Sequence, residues 1–270
     1  MNYKRQKAPA LAPALSPEDA DLPGGQHLPL YNLTSIRLEL LCWPVSLICL
    51  VLVLPMSNNL PPISPSVEPA ALARHYAAHE DGFRAGVVLT LLSGANYPFY
   101  GIGVSNILVR IPGVNPVMVM TQAAAGVVVG ACFMFCGIFL APISFRPDRD
   151  PALIQLLSDL GWLFYMLFLP VMYVQDFLIT SLIFSDRRPI PLVPRWLAWV
   201  NCVLPLGWFG GFGVHFVHSG PFAWNGAISF WLASASYAVQ IATNLPVLWI
   251  AAGKIPPGGL MTVEGAQSTF

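Results

Sequence analysis

The chain has 270 residues, 56% of them hydrophobic and only 10% charged, with a formal net charge of zero and a mean hydropathy of +0.64. Soluble domains carry about 25% charged residues, so this chain cannot clothe a water-exposed surface and most of its exterior must face lipid. Zero net charge leaves no electrostatic case for nucleic acid as a partner. The expected fold class is all-α, a polytopic helix bundle whose partner is the lipid bilayer.

Residues 1–33 open with MNYKRQK but have no apolar run behind the basic residues, so no cleavable signal peptide is expected. Their Pro, Ala and acidic content predicts a disordered N-terminal tail. Six apolar stretches follow, at roughly 37–55, 84–108, 115–143, 160–184, 196–217 and 223–252. A bilayer core about 30 Å thick needs about 20 helical residues. Alternation of period two is absent, and the runs are too long for barrel strands. Six transmembrane helices over residues 34–253 are expected, with a short C-terminal tail at 254–270.

Loop charges orient the spans. With the N-terminus inside, the inner side holds Lys4, Arg5, Lys7, Arg37, Arg110, Arg187, Arg188, Arg195 and Lys254, and the outer side Arg74, Arg84, Arg146 and Arg149. Nine against four predicts both termini in the cytoplasm. Trp162, Trp196 and Trp224 fall near span ends, where indole rings favour the headgroup level.

Between spans one and two, HYAAHED places His75 and His79 four apart on one helical face. His215 and His218 close span five on the same predicted side. Four imidazoles, with Glu80 and Asp81 beside them, could hold a transition metal or haem at the outer surface. The alternative is an interfacial helix, EPAALARHYAAHEDGFRAG, with Glu80 paired to Arg84. The pattern does not match the H-E-x-x-H protease signature, and no cofactor is otherwise evident.

Span two contains GANYPFYGIG, where Pro98 leaves the Gly94 carbonyl without its donor and Asn96, Tyr97 and Tyr100 form a polar patch. In span three, Gly126/Gly130 is a small-x-x-x-small pair, as is Gly207/Gly211 in span five. The five cysteines, Cys42, Cys49, Cys132, Cys136 and Cys202, lie in apolar stretches and read as small apolar groups. Asp150 and Pro151 carry a helix-start signal, and Arg146 and Arg149 could pair with Asp159 or with lipid phosphates. In span four, Asp176 beside Gln175 either carries its proton or faces a polar interior. Span six adds Tyr237, Gln240 and Asn244, the last two one turn apart.

Asn96, Tyr97, Tyr100, Gln175, Asp176, Gln240 and Asn244 are therefore the candidate ligand-binding residues, arranged as broken-helix transporters build a site. Three functions stay open. The first is binding or moving a small, largely apolar molecule, or acting as an accessory subunit of a membrane complex that does. The second is a metal- or haem-dependent membrane enzyme using His75, His79, His215 and His218. The third is a purely structural assembly partner. Catalytic residues are not identified: Gly101-x-Gly103 lies inside a span and cannot be a dinucleotide loop.

The strings FRPDRDPALIQLLSDLGW, SDRRPIPLVPRW and GPFAWNGAISFW, in this order, resemble uncharacterised six-span membrane proteins of actinobacteria and proteobacteria over roughly residues 83–250. That resemblance implies a bacterial cytoplasmic membrane and no assigned reaction.

Overall fold

Three helices begin with the same local chemistry. The side chain of Asn32 accepts from the Ser35 N–H at 3.2 Å, Asn115 from Val117 at 2.9 Å, and Asp150 from Ala152 at 2.8 Å. Each satisfies a backbone donor that the first helical turn leaves free, and Pro116 and Pro151 supply the pre-set φ of a first position.

The computed structural model describes residues 32–255; both expected tails, apart from their residues next to the bundle, lie outside that range. The elements are α1 (Leu33–Met56), α2 (Pro69–Ala78), α3 (Glu80–Leu108), α4 (Pro116–Phe145), α5 (Pro151–Leu167), α6 (Leu169–Ser185) and α7 (Arg195–Val203). A 3₁₀ segment (Leu204–Gly213), a π-helical segment (Ala227–Leu232) and α8 (Ala233–Gly253) complete them. Among the described residues the fold is all-helical. Five helices are long and apolar enough to cross a membrane: α1, α3, α4, the α5–α6 run, and the π segment with α8.

The central helix is α3, packed between α1 and α4. Glycines set how closely α3 and α4 approach. A Cβ on Gly94 would stand 2.5 Å from the Gly130 carbonyl oxygen, and one on Gly126 would stand 3.5 Å from the Gly101 Cα. The small-residue pair expected on α4 thus makes the contact it implied, with partners on α3. Leu40, Trp43, Tyr97, Tyr100, Val104, Phe133, Ile179, Trp208 and Leu248 fill the core behind this seam.

Several expectations need correction. The fourth apolar stretch is not a single helix over 160–184. It starts at Pro151 and breaks at Phe168 (φ −76, ψ 1), because Pro170 has no N–H for the Met166 carbonyl. The fifth stretch is α-helical for only nine residues before ten residues of 3₁₀ helix. Pro205 cannot donate to the Asn201 carbonyl, and Gly207, Gly210, Gly211 and Gly213 weaken any α preference beyond it. At three residues per turn, Gly207 and Gly210 share a face and Gly207 and Gly211 do not. Their neighbours agree: a Cβ on Gly207 would meet Ser236, one on Gly210 would meet Ile228, and one on Gly211 would meet Leu169.

Trp162 and Trp224 face the protein interior rather than the outside. They stack on each other, centroids 6.1 Å apart, within a buried cluster, and the Trp224 indole N–H donates to the Ile63 carbonyl at 2.8 Å. Trp196 is exposed. The expected interfacial helix is interrupted at His79, where α2 gives way to α3, while the Glu80–Arg84 ion pair forms as expected.

The loop after α6 is built on Asp186. Its carboxylate accepts Arg188 Nε at 2.8 Å, Arg188 Nη2 at 2.6 Å and the Leu192 N–H at 2.9 Å, and both charged side chains are buried. Burial alone would raise this carboxyl. The Arg188 side chain, the Leu192 and Arg188 amides and the Arg188 charge outweigh it and hold the group below its ordinary value.

Candidate functional site

Three departures from α-helical geometry converge on one cavity of about 90 Å³. The α5–α6 break contributes Met166, Phe168 and Leu169, the 3₁₀ segment contributes Trp208 and Gly211, and the π segment contributes Ser229 and Phe230. Met172, Tyr237, Leu50 and Phe133 close the walls, and the exposed Ser234 sits at the lip. The 3₁₀ and π segments are locked together, since the Ser229 hydroxyl bonds the Gly210 and Phe222 carbonyls at 2.7 and 2.9 Å. The lining is almost wholly apolar. Its principal unsatisfied polar group is the buried Trp208 indole N–H, which has no acceptor among the described residues.

An aromatic chain runs from this cavity into the bundle. Trp43 donates its indole N–H to the Tyr237 hydroxyl at 2.8 Å and stacks on Tyr100 at 4.2 Å. Tyr100 meets Tyr97 edge-on at 5.9 Å, and Tyr97 meets Phe133 of the cavity wall at 5.6 Å. The Tyr97 hydroxyl then donates to Gln175 Oε1 at 3.0 Å. The Gln175 amide lies over Gly101 and Gly126, and a Cβ on Gly126 would stand 2.9 Å from its nitrogen.

Next to this chain lies a buried polar ladder across three helices. Gln240 Nε2 of α8 donates to Asp176 Oδ1 of α6 and to Asn201 Oδ1 of α7, both at 3.0 Å. Asn201 Nδ2 donates to Asn244 Oδ1 at 2.8 Å and to the Leu197 carbonyl at 2.9 Å, and Asn244 Nδ2 donates to the Gln240 carbonyl at 2.9 Å. Thr180 donates to the Ala198 carbonyl at 3.2 Å, tying α6 to α7 at the same level.

Six of the seven expected residues therefore occupy one neighbourhood: Tyr97, Tyr100, Gln175, Asp176, Gln240 and Asn244. Asn96 does not belong to it. Its amide donates to the Leu92 carbonyl of its own helix at 2.8 Å on the exposed side of α3, because one residue step from Tyr97 turns it about 100° around the axis. Asn201 was missed. The sequence signal was a lone amide in an apolar run, which needs a buried partner.

The histidines are not one constellation. His75 and His79 lie side by side, ring centroids 4.8 Å apart. His75 Nε2 bonds Asn59 Oδ1 at 3.1 Å, and His79 Nδ1 bonds the His75 carbonyl at 2.9 Å. His215 packs on Phe216, and His218 is within electrostatic reach of Asp159. Among the described residues, no group of three or more His, Cys, Asp or Glu is placed to hold a metal ion. His75 resists protonation, chiefly through burial and then the neighbouring His79 charge, against a weaker pull from the Ser57 backbone.

No protein-family model, curated protein or solved structure matches the chain.

Proposed function

We propose that this chain is a six-span protein of a bacterial cytoplasmic membrane, with both termini in the cytosol, that binds or moves one small, largely apolar molecule through the cavity beneath Ser234. The excess of Lys and Arg on the inner loops supports the orientation. As a sixth crossing, α7 and the 3₁₀ segment have a suitable length: nine residues at 1.5 Å and ten at 2.0 Å give about 33 Å, close to a bilayer core of about 30 Å.

One observation carries the ligand reading, the meeting of three helix interruptions at one apolar cavity. Non-α backbone at membrane depth leaves carbonyls and amides poorly paired, and it persists where protein covers it or where it lines a cavity. An apolar space of this order takes small hydrocarbons or xenon, and its lip at Ser234 gives them a way in. The Trp208 N–H adds one donor for an acceptor atom on the ligand.

The test is a titration of purified protein with benzene-sized aromatic and short aliphatic probes, read by tryptophan fluorescence. Ala233 also lines the cavity; Ala233→Leu and Ala233→Met fill the space, and each should weaken binding at least about tenfold, or 1.4 kcal/mol. Equal binding by the wild type and both filled variants would refute the cavity as the site.

A further inference from the structure

The polar ladder beside the cavity carries a surplus that hydrogen bonding among its own members does not resolve. Both N–H groups of Gln240 are committed, to Asp176 Oδ1 and Asn201 Oδ1. Both of Asn201 are committed as well, to Asn244 and Leu197. The amide orientation of Gln240 is fixed, since turning it would set its oxygen against two other oxygens. What remains are two buried acceptors with no donor, Asp176 Oδ2 and Gln240 Oε1. Asp176 is 7% and Gln240 1% exposed.

The surroundings add negative potential. Asn201 lies where α7 runs without a gap into the 3₁₀ segment. Pro205 withholds the N–H that an α-helix would give the Asn201 carbonyl. None of the ion pairs among the described residues includes Asp176. A buried carboxyl, a spare amide oxygen and a carbonyl without its α-helical donor together form a place for positive charge, of the kind by which interrupted helices hold small cations.

We propose that Asp176 and Gln240 hold one small monovalent cation, either a proton or a sodium ion, beside the junction of α7 with the 3₁₀ segment. This site is distinct from the apolar cavity and does not depend on a ligand there. A proton would reside on Asp176 Oδ2. A sodium ion would draw on Asp176 Oδ2 and Gln240 Oε1 together. The titratable groups facing Asp176 are the phenols Tyr97 and Tyr100 of α3, Tyr173 of its own helix and Tyr237 of α8. α7 presents only the uncharged Asn201. Phenols stay neutral below about pH 10, so the carboxyl is the group a pH titration would read.

The experiment is thermal unfolding of the purified full-length protein in sodium chloride and in choline chloride at equal ionic strength, at mildly acidic and alkaline pH. Responses are read as the difference between the wild type and Asp176→Asn, which cancels the titration of other groups. If the cation is sodium, sodium but not choline raises the wild-type Tm at alkaline pH, by about 5–10 °C at a hundredfold excess over Kd. If it is a proton, the wild-type Tm falls from acidic to alkaline pH in either salt. D176N abolishes whichever response occurs. A wild type responding to neither cation, or a D176N variant that keeps the response, overturns the proposal. Should D176N fail to fold, Gln240→Met removes the other acceptor and must move the midpoint of the wild-type response; an unchanged midpoint is equally fatal.

Discussion

Trp43 and Tyr237 join the first and last helices of the bundle. The indole N–H of one donates to the hydroxyl of the other at 2.8 Å across 194 positions of chain, and their rings meet edge-on. Trp43→Phe leaves the Tyr237 hydroxyl without its donor, and Tyr237→Phe strands the indole. Each should cost about 1–3 kcal/mol, the desolvation penalty of an orphaned buried group. The double variant W43F/Y237F should cost clearly less than the sum. An additive double-mutant cycle would show that the bond is not coupling the two helices.

The seam between α3 and α4 makes a sharper demand. At Gly130 a side chain would meet the Gly94 carbonyl at 2.6 Å and the Pro98 ring at 2.7 Å. Neither neighbour has a flexible end that can swing aside. Gly130→Val should destabilise by about 3 kcal/mol or more, at the upper end of overpacking costs. A Tm within a degree of the wild type would mean that the helices are free to separate.

Asp186 and Arg188 form a buried charge pair, so loss of one partner is costly. Arg188→Met should lower stability by about 3–5 kcal/mol, because it leaves the carboxylate without its bidentate donor. The sign with pH follows from the depressed carboxyl. The pair's contribution is complete above the unfolded carboxyl value of about 3.9 and disappears as pH falls through the lower folded value. Thermal melts should therefore show an acid-induced loss in the wild type that R188M lacks.

His75 should act at milder pH. Its folded value lies below the unfolded one of about 6.5, so the unfolded chain takes up the proton first and stability falls as pH drops below that point. His75→Gln keeps a partner for Asn59 and should flatten the slope between neutral and mildly acidic conditions. If wild type and H75Q melt in parallel, His75 is not the group responsible.

The ladder gives a last test. Asn201→Leu removes two donors and an acceptor, leaving Asn244 and Gln240 partly unpaired in a buried setting, with an expected loss of about 2–3 kcal/mol. Adding Asn244→Leu should recover part of it. A double variant worse than the sum of the singles would contradict the bonding between them.

How much of this was legible beforehand depended on the kind of signal. Polar residues inside apolar runs announce themselves, and Asp176, Gln240 and Asn244 meet because polar groups in such a setting have few other partners. Asn201 belongs to the same logic but stood alone in its run, with no mate one turn away to mark a face. Asn96 was misplaced because closeness in sequence is not closeness on a helix. The capping pairs at Asn115–Pro116 and Asp150–Pro151 were local chemistry, and the second was readable at once. The cavity was not legible, because its walls are the same Met, Phe and Leu that fill any core. Pro205 with four glycines did mark a weak α-helix. The 3₁₀ segment packs against the π segment, a contact between distant stretches that the run of glycines does not announce.

That π segment fixes the angular setting of everything after it. A π turn is in effect an α turn with one residue to spare, and each residue of an α-helix is worth about 100° of rotation. Were these six residues to wind as ordinary α-helix with none removed, the spare residue would be passed along the chain and α8 would swing by about that angle. Tyr237, Gln240 and Asn244 would then point away from Trp43, Asp176 and Asn201 together. Six residues with an unusual winding thus act as the indexing step that aims an entire helix at its partners.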